Sequence, residues 1–589
     1  MKEFLRSMLG SCLGVLVAML LVVIILFGMG AVMSAGGNSG KTAEKGVLKL
    51  TLNHSIPEKT DNVEGGFQGG PSSALGLRHI VRLIEKAGSD EHIKGIVIQA
   101  SSLQMGQATL LQLRNAIAEF KESGKFVYAY ADSYSQSAYF LATVADSVFL
   151  NPNGDVGLQG YGVVSPFFKG SLDKLGISFD IFYAGDFKSA TEIFRRTDMS
   201  PENRLQTKEF LTDMVGLMKS EVSRSRKIPL FELDRIMSEL DGRDAKRALQ
   251  NKLVDANLYW DEFESLVKKS VGVDADEKVN YLSLDDYNGL AELTESGKFT
   301  EKIAVVYAEG DVVYNSPTKG MIDNTRYLKI FDKIKKDKNI KAVVLRVNSG
   351  GGSALTSDII WREVEQIKAK GIPVIASFGD YAASGGYYIA AGADSIFAAP
   401  NTLTGSIGVF SMLPNFKKLS NEKLGITYDT VKTHGLAVNL STVMGLSEKE
   451  KQYMTESTND IYQKFLDRVS RGRSMPVDSV HKYAQGRVWT GRRAKEIGLV
   501  DQLGYLQDAV AAAAKKAKIS DFKVVEYPRI EKTFFEQLIE SWAKQQAEEG
   551  EESAINAETR WLLKLYKQNK AIFQTEGVQA RMMVDVKFD

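Results

Sequence analysis

The stretch HIKGIVI at residues 92–98 reappears about 248 residues later as NIKAVVL at residues 339–345. Two further stretches return in the same order: ADSVF at 145–149 as ADSIF at 393–397, and GRDAK at 242–246 as GRRAK at 491–495. Self-similarity over this length indicates two copies of one fold. The positions at which the copies differ are therefore where we look for function.

Composition excludes several classes of protein. The chain has 589 residues, with 74 basic and 73 acidic side chains, and this balance gives no reason to expect a nucleic-acid partner. Cys12 is the single cysteine, so neither an intrachain disulfide nor a thiolate metal cluster can form. No metal-ligand spacing such as HExxH occurs in the sequence. We therefore expect no metal and no other cofactor.

An apolar segment near the N-terminus predicts a membrane anchor. Residues 8–33 carry no charge and exceed the roughly 20 residues that span a bilayer as a helix. Lys2 and Arg6 precede the segment, so the positive-inside rule places residues 1–7 in the cytoplasm and the rest of the chain across the membrane. The alternative is a cleaved signal peptide, although its apolar core usually has only about 7–15 residues.

Strands alternate with helical segments in both copies, which predicts α/β domains built from parallel βαβ units. In the second copy we expect strands at 341–347, 374–378 and 395–398, and helices at about 356–370 and 384–393. The predicted division of the chain is a cytoplasmic N-terminus at 1–7, a transmembrane anchor at 8–33, a linker at 34–46, a first repeat at 47–300, a second repeat at 301–525, and a helical and polar tail at 526–589.

A glycine-rich loop, NSGGGS at residues 348–353, follows a predicted strand and precedes a predicted helix. Glycines let backbone N–H groups approach a ligand, and a helix N-terminus favours negative charge. This combination suits an oxyanion hole, and a tight turn between strand and helix is the plain alternative. The first copy has ASSLQM at residues 100–105, without glycine, and the difference favours a functional role.

A second glycine-containing stretch, LTGSIG at residues 403–408, makes Ser406 a candidate nucleophile. Its counterpart in the first copy is NGDVGL at 153–158, which has Asp155 opposite Ser406. Because the fold accepts either residue, packing does not require the hydroxyl. On its own the signal is weak, since most Gly-Ser pairs lie in turns.

Three stretches together, SGGGS at 349–353, ASGGY at 383–387 and LTGSIG at 403–408, resemble the motifs of the signal peptide peptidase A (protease IV) family. The resemblance covers roughly residues 47–525 and the N-terminal anchor. It implies two tandem ClpP/crotonase-like domains in a homotetramer. It also implies a Ser/Lys dyad whose serine lies in the second repeat and whose lysine lies in the first.

The resemblance implies roles for individual residues. Ser406 matches the family's nucleophile, and GDFKS at 185–189, followed by MSP at 199–201, matches the lysine motif and implies Lys188 as the general base. The corresponding stretch of the second copy, THGLAV at 433–438, has no lysine. Each copy is therefore expected to contribute half of the dyad.

The remaining site residues are assigned more loosely. Gly351 and Gly352 are the candidates for the oxyanion hole, with the Ser406 amide as a possible second donor. The family also has a hydroxyl residue that orients the lysine, and Thr433 is our candidate for it.

A lysine can accept the serine proton only in its neutral form. With an ordinary pKa near 10.4, only about one lysine in 2,500 is neutral at pH 7, so work near neutrality requires a much lower pKa. Burial would lower the pKa, and a nearby carboxylate would oppose this. Asp186 must therefore point away from Lys188. Since residues i and i+2 share one face of a strand, we expect the segment to be irregular here.

These features predict a membrane-anchored serine endopeptidase that hydrolyses peptides through an acyl-enzyme. The resemblance implies released signal peptides as substrates, and a bacterial inner membrane location with the catalytic domains on the extracytoplasmic side. Two alternatives stay open. A crotonase-like acyl-CoA enzyme would need no Ser/Lys pair, and an inert membrane scaffold would need no active site.

Overall fold

The structure, a computed structural model, describes residues 45–60, 75–291, 299–316, 318, 320–528 and 579–581. The predicted membrane anchor at 8–33 lies outside these ranges, as does most of the predicted tail at 526–589. Within the described ranges, no helix is long and apolar enough to cross a membrane.

The first repeat is built on a parallel sheet that is buried on both faces. Its strands are β1 (Gly46–Leu50), β2 (Ile93–Ile98), β3 (Phe126–Ala131), β4 (Ser147–Leu150), β5 (Ser178–Ala184), β6 (Ala256–Asn257) and β7 (Tyr281–Leu282). All except β5 form one sheet in the order β6-β4-β3-β2-β1-β7. Along β1, Leu48 enters one hydrophobic core and Val47 the core on the opposite face. Strands buried on both faces tend to have continuous apolar sequences, because neither face of the sheet contacts solvent.

The second repeat forms the same sheet in the same order. Its strands are β8 (Lys302–Glu309), β9 (Val312–Val313), β10 (Ile322–Asp323), β11 (Ile340–Ser349), β12 (Gly351–Ser353), β13 (Val374–Ala383), β14 (Ser395–Ala398), β15 (Leu403–Gly405), β16 (Val409–Asn415), β17 (Val488–Thr490), β18 (Gln502–Leu503) and β19 (Lys523–Tyr527), and β20 (Gln579–Arg581) follows them. The parallel order β18-β14-β13-β11-β8-β19 reproduces that of the first repeat. The prediction of two copies of one α/β fold is confirmed.

The helices flank these sheets. They are α1 (Leu77–Ser89), α2 (Gln107–Lys121), α3 (Gln136–Ala142), α4 (Lys169–Leu175), α5 (Glu192–Arg195), α6 (Pro201–Arg226), α7 (Leu230–Glu239), α8 (Ala245–Gln250), α9 (Trp260–Val271), α10 (Leu284–Leu290), α11 (Asn324–Lys336), α12 (Ala354–Ala369), α13 (Gly385–Ala390), α14 (Glu448–Arg473), α15 (Val477–Tyr483), α16 (Gly491–Glu496) and α17 (Leu506–Ala517). The helix predicted at 384–393 ends three residues early, just before Gly392, a residue with low helix propensity.

A third, mixed sheet joins the two repeats. Its order is β10-β9-β12-β20-β16-β5, so a strand of the first repeat lies at the edge of a sheet otherwise made by later parts of the chain. β5 pairs antiparallel with β16 along its whole length, from Ala184 opposite Val409 to Ser178 opposite Asn415. This register decides which residues of the two repeats meet.

Buried polar contacts also fasten the repeats together. Arg346 of the second repeat donates two hydrogen bonds to the Glu58 carboxylate, at 2.9 and 3.0 Å, and both side chains are buried. Asp380 accepts hydrogen bonds from the amides of Ala108 and Thr109 at the start of α2. A carboxylate at this position satisfies helix donors that have no partner within the helix. The two repeats therefore hold each other in one relative position.

Candidate active site

The register of β5 and β16 brings two predicted residues together. β5 ends at Ala184, just before Lys188, and β16 begins at Val409, just after Ser406. Ala184, the last residue of β5, pairs with Val409, the first residue of β16. The residues just after β5, which include Lys188, therefore lie beside the residues just before β16, which include Ser406.

The side chains of Lys188 and Ser406 are in hydrogen-bond contact. The Nζ atom of Lys188 lies 3.1 Å from Ser406 Oγ, 3.0 Å from the Ser406 carbonyl oxygen and 2.7 Å from Ser384 Oγ. The three residues are 1%, 2% and 0% exposed, in the order Lys188, Ser406 and Ser384. The distance from Nζ to Ser406 Oγ is within the range over which a base can take a proton directly.

Burial lowers the pKa of Lys188 well below its ordinary value, because removal from water penalises the ammonium form. A neutral amine has two N–H donors and one lone pair, and this inventory matches the three contacts. The two N–H groups donate to Ser384 Oγ and to the Ser406 carbonyl oxygen, which leaves the lone pair for the Ser406 hydroxyl proton. The arrangement can therefore carry out general-base chemistry.

Asp186 lies where the chemistry requires it. The side chain is exposed, whereas Lys188 is buried. Residues 186 and 187 form a turn rather than an extended strand, so the two side chains do not share a face. The predicted irregularity of this segment is confirmed.

The hydroxyl beside the lysine is not that of Thr433. Thr433 is exposed and its Oγ1 contacts His434, while the buried Lys188 bonds to Ser384. The prediction at Thr433 is corrected to Ser384, since a solvent-facing hydroxyl is not placed to orient a buried amine. Ser384 belongs to the quoted ASGGY motif, and that motif is the signal that could have identified it.

Both serines have a strained backbone. Ser406 has φ of +47° and Ser384 has φ of +55°, values that a residue with a side chain seldom adopts. The Ser406 amide donates a hydrogen bond to the Arg487 carbonyl oxygen at 2.7 Å. The Ser406 amide is therefore engaged, and the expectation that it serves as a second oxyanion donor is wrong for this conformation. Strain of this kind is common at functional sites.

The glycine loop forms the short strand β12 and leads directly into α12. Gly351 and Gly352 have φ of +100° and +150°, and both are buried. The Gly351 amide donates to Ser349 Oγ at 3.1 Å, so this bond would have to break before Gly351 could hold an oxyanion. A Cβ at Gly352 would lie 2.1 Å from the Val312 carbonyl oxygen, which explains the need for glycine.

The backbone of β20 lies between the glycine loop and the strand that follows Ser406. It pairs antiparallel with β12, where Gly352 is opposite Ala580, and antiparallel with β16, where Phe410 is opposite Gln579. The space between β12 and β16 therefore accommodates one extended polypeptide strand.

The first repeat makes a different contact at the matching position. Asp155, the counterpart of Ser406, is half-buried and accepts a hydrogen bond from Ser133 Oγ at 2.6 Å. Residues 185–189, which carry Lys188, are called the lysine segment below. Their counterpart in the second repeat, residues 433–438, is exposed. The buried lysine and the buried serine thus come from different repeats.

Metal sites and cavities complete the description of the molecule's possible binding sites. Among the described side chains, no group of three or more His, Cys, Asp or Glu residues could hold a metal ion. A cavity of about 390 Å³ lies between the repeats, and residues such as Glu58, Arg78 and Tyr307 line it. No residue of the Lys188 and Ser406 site is among its lining residues, so it is separate from that site.

Comparison with known proteins finds relatives that match most of the chain. Peptidase family S49 matches the chain twice, at residues 119–274 and 366–520. Protease 4 of Haemophilus influenzae is 35% identical over 532 residues, which cover 87% of this chain and 84% of that protein. The chloroplastic serine protease SPPA of Arabidopsis thaliana is 31% identical over 482 residues, which cover 80% and 69%.

Among solved structures, ClpP1 from Listeria monocytogenes is 16% identical and covers 35% of this chain and 92% of its own, with a TM-score of 0.23, too low to support an argument. The two matches to the family and the long alignments at more than 30% identity establish the family by themselves. The chain belongs to peptidase family S49 and is a serine protease.

Proposed function

We propose that the protein is a Ser/Lys-dyad endopeptidase in which Ser406 is the nucleophile, Lys188 is the general base and Ser384 orients the lysine. The observation that carries this proposal is the 3.1 Å contact between Lys188 Nζ and Ser406 Oγ inside a buried site. An inert scaffold would not need a lysine buried against a serine, because burying an amine that is normally charged destabilises the fold.

The reaction is acyl transfer. Ser406 Oγ attacks the carbonyl carbon of the scissile peptide while its proton passes to Lys188 Nζ. The resulting ammonium returns that proton to the leaving amide nitrogen as the C–N bond breaks, which leaves an ester on Ser406. A water molecule then attacks the ester and gives its proton to Lys188. Release of the acid with proton transfer back to Ser406 Oγ restores the free dyad.

The substrate is proposed to be an extended peptide, and specifically a signal peptide released into the membrane. The position of β20 supports an extended peptide, because it shows an antiparallel strand between β12 and β16 beside the dyad. The choice of signal peptides rests on the motif resemblance and on the apolar segment at 8–33, which would keep the enzyme at the membrane that holds them. On this proposal the catalytic repeats lie on the extracytoplasmic side.

The test uses the full chain in detergent, a serine-reactive fluorophosphonate, and two peptides of equal length, one with an apolar core and one polar. We expect Ser406 to be labelled and the apolar peptide to be cleaved. Ser406→Ala and Lys188→Ala should abolish both activities, whereas Lys174→Ala, which removes an exposed lysine, should change neither. Cleavage that survives in both dyad variants would overturn the proposal. Hydrolysis of acyl-CoA without peptide cleavage would favour the crotonase-like alternative.

A further inference from the structure

Residues 485–488 contact both halves of the divided site through their backbone. On the serine side, Arg487 O accepts from the Ser406 amide at 2.7 Å and the Gly486 amide donates to Ile407 O at 2.8 Å. On the lysine side, the Phe187 amide donates to Gln485 O at 2.8 Å. One short segment therefore lies between the two stretches of the polypeptide that carry Lys188 and Ser406.

Gly486 packs directly on the lysine residue. It has φ of +75°, and a Cβ there would lie 2.7 Å from the N, Cα and Cβ atoms of Lys188. The lysine backbone can approach this closely only because residue 486 has no side chain. The distance between the two halves of the site thus depends on how firmly the lysine segment is held against residues 485–488.

The side chain of Gln206 on α6 links the lysine segment to residues 485–488. Its side chain is buried, and Nε2 donates to the Phe187 carbonyl oxygen at 3.1 Å and lies 3.2 Å from Ser189 Oγ. Its Oε1 accepts from the Val488 amide at 3.0 Å. A single amide thus bonds to both residues that flank Lys188 and to the segment that holds Ser406.

We propose that Gln206 is a positioning residue that keeps Lys188 against Ser406 by tying the lysine segment to residues 485–488. This inference rests on the proposed dyad function. The hydrogen bonds of Gln206 go to neither dyad side chain, so its effect on the reaction passes through residues 187–189.

The choice of glutamine has a chemical reason. The contacts to the Phe187 carbonyl oxygen and to the Val488 amide need one donor and one acceptor on the same buried group, and a side-chain amide supplies both. Methionine has a similar volume and supplies neither. Glutamate keeps the acceptor for Val488 but sets a carboxylate oxygen against the Phe187 carbonyl, and its charge would favour the ammonium form of Lys188.

We expect Gln206→Met to lower kcat by about tenfold at pH 7 with little change in KM, the effect of losing one or two buried hydrogen bonds. If the segment that carries Lys188 is loosened, water reaches Nζ, stabilises the ammonium form and raises the pKa of Lys188. The acid limb of the kcat/KM profile should therefore move to higher pH. Gln206→Glu should move the limb further in the same direction. A residue needed only for folding would lower the amount of active enzyme without moving this limb.

Other titratable and charged groups lie on the elements around the lysine segment: Asp186, Glu192, Arg195, Glu209, His481 and Arg487. His481 contacts the Gln485 side chain at 2.7 Å and so reaches the segment at residues 485–488. The profile is therefore also measured with His481→Gln. If the limb belongs to Lys188, it persists in this variant.

Gln112→Met is the matched control. Gln112 is also a buried glutamine on a helix of the first repeat, and its Nε2 donates across the repeats to Gln507 Oε1 at 2.9 Å, away from the dyad. This variant should keep the wild-type pH profile even if its melting temperature falls. An unmoved limb in Gln206→Met, or an equal shift in Gln112→Met, would overturn the proposal. If peptide cleavage instead survives Ser406→Ala, the dyad function itself fails, and the two failures are thereby distinguished.

Discussion

Tyr139 in the first repeat donates a hydrogen bond to the Leu253 carbonyl oxygen, and Tyr387 in the second donates one to that of Leu499, each at 2.7 Å. All four residues are fully buried. In each copy this bond fastens the helix after the third strand of the sheet to the segment just before an edge strand, β6 in the first repeat and β18 in the second. Where packing alone is involved, the copies keep both the residue and its contact.

Asp155 and Ser406 hold matching positions and make different contacts. Asp155 bonds locally to Ser133, whereas Ser406 faces a lysine from the other repeat. The first repeat shows that the fold forms without a serine here. The site is therefore a property of the pair of repeats, and the predictions that follow test this comparison.

The largest effect is expected from exchanging the two matched residues. Ser406→Asp should reduce kcat/KM by about 10³-fold or more, because it removes the proposed nucleophile and sets a carboxylate against Lys188. Asp155→Ser should leave peptide cleavage unchanged, since the partner of Asp155 is Ser133 rather than a lysine. Peptidase assays on both variants check this. New activity from Asp155→Ser in a Ser406→Ala background would contradict a single divided site.

Lys188→Met should inactivate the enzyme and yet stabilise it at pH 7. The folded-state pKa of Lys188 is lowered by burial, so between that value and the ordinary value near 10.4 the unfolded chain binds one more proton than the folded one. Wild-type stability should therefore rise with pH in this window, and methionine removes that dependence. Urea unfolding at pH 7, 8 and 9 should show the advantage of the variant shrinking as pH rises. An advantage that stays constant over this range would mean that the buried amine is not neutral.

Breaking the buried ion pair between the repeats should separate the two halves of the site. Glu58→Gln leaves Arg346 without its charged partner, and such a loss costs about 3–5 kcal/mol of unfolding free energy. Activity should fall together with stability, because neither repeat holds a complete dyad. The control is Glu448→Gln, which removes an exposed pair with Lys451 and should change stability by about 1 kcal/mol or less. Equal losses in the two variants would show that the Glu58 contact has no special part in the fold.

Ser384 and Ser135 give a matched pair, because each is the serine that immediately precedes the equivalent helix, α13 in the second repeat and α3 in the first. Ser384→Ala removes the closest partner of Lys188 Nζ and should lower kcat/KM by about 10²-fold. Ser135 Oγ caps α3 by accepting from the Ala138 amide, so Ser135→Ala should cost about 1 kcal/mol of stability and leave kcat unchanged. Kinetics and thermal unfolding of both variants distinguish the two roles, and similar kcat values for them would remove Ser384 from the site.

The sequence revealed the duplication, the alternation of strands with helices and the residue that changes from Asp155 to Ser406. It did not identify Ser384 as the partner of the lysine, although the offset of 248 residues that pairs Tyr139 with Tyr387 puts Gln136 of the first repeat opposite Ser384. The serines that precede α3 and α13 also differ in backbone conformation, with φ of −63° at Ser135 and +55° at Ser384. A comparison of residue identities cannot detect a change of that kind.

Long-range pairing was also beyond the sequence. The pairing of β5 with β16 joins strands more than 200 residues apart, and alternation of apolar residues does not specify such a partner or its register. Lys188 was assigned by family resemblance, not by periodicity. The oxyanion donors were only partly predictable, because the structure shows the Ser406 amide bonded to Arg487 and the Gly351 amide to Ser349.

The smallest expected effect concerns β20, which has no counterpart in the sheets that the two repeats share. Its backbone occupies the space between β12 and β16 in which a substrate strand is proposed to bind, so the two would compete. Ala580→Pro removes an N–H from this strand and should weaken its pairing. Since a site that is partly occupied binds substrate with reduced apparent affinity, KM for a peptide should fall a few-fold, on the order of two to five, with kcat unchanged. Deletion of residues 579–589 should have the same effect, and a KM that is unchanged in both variants would show that the peptide binds elsewhere.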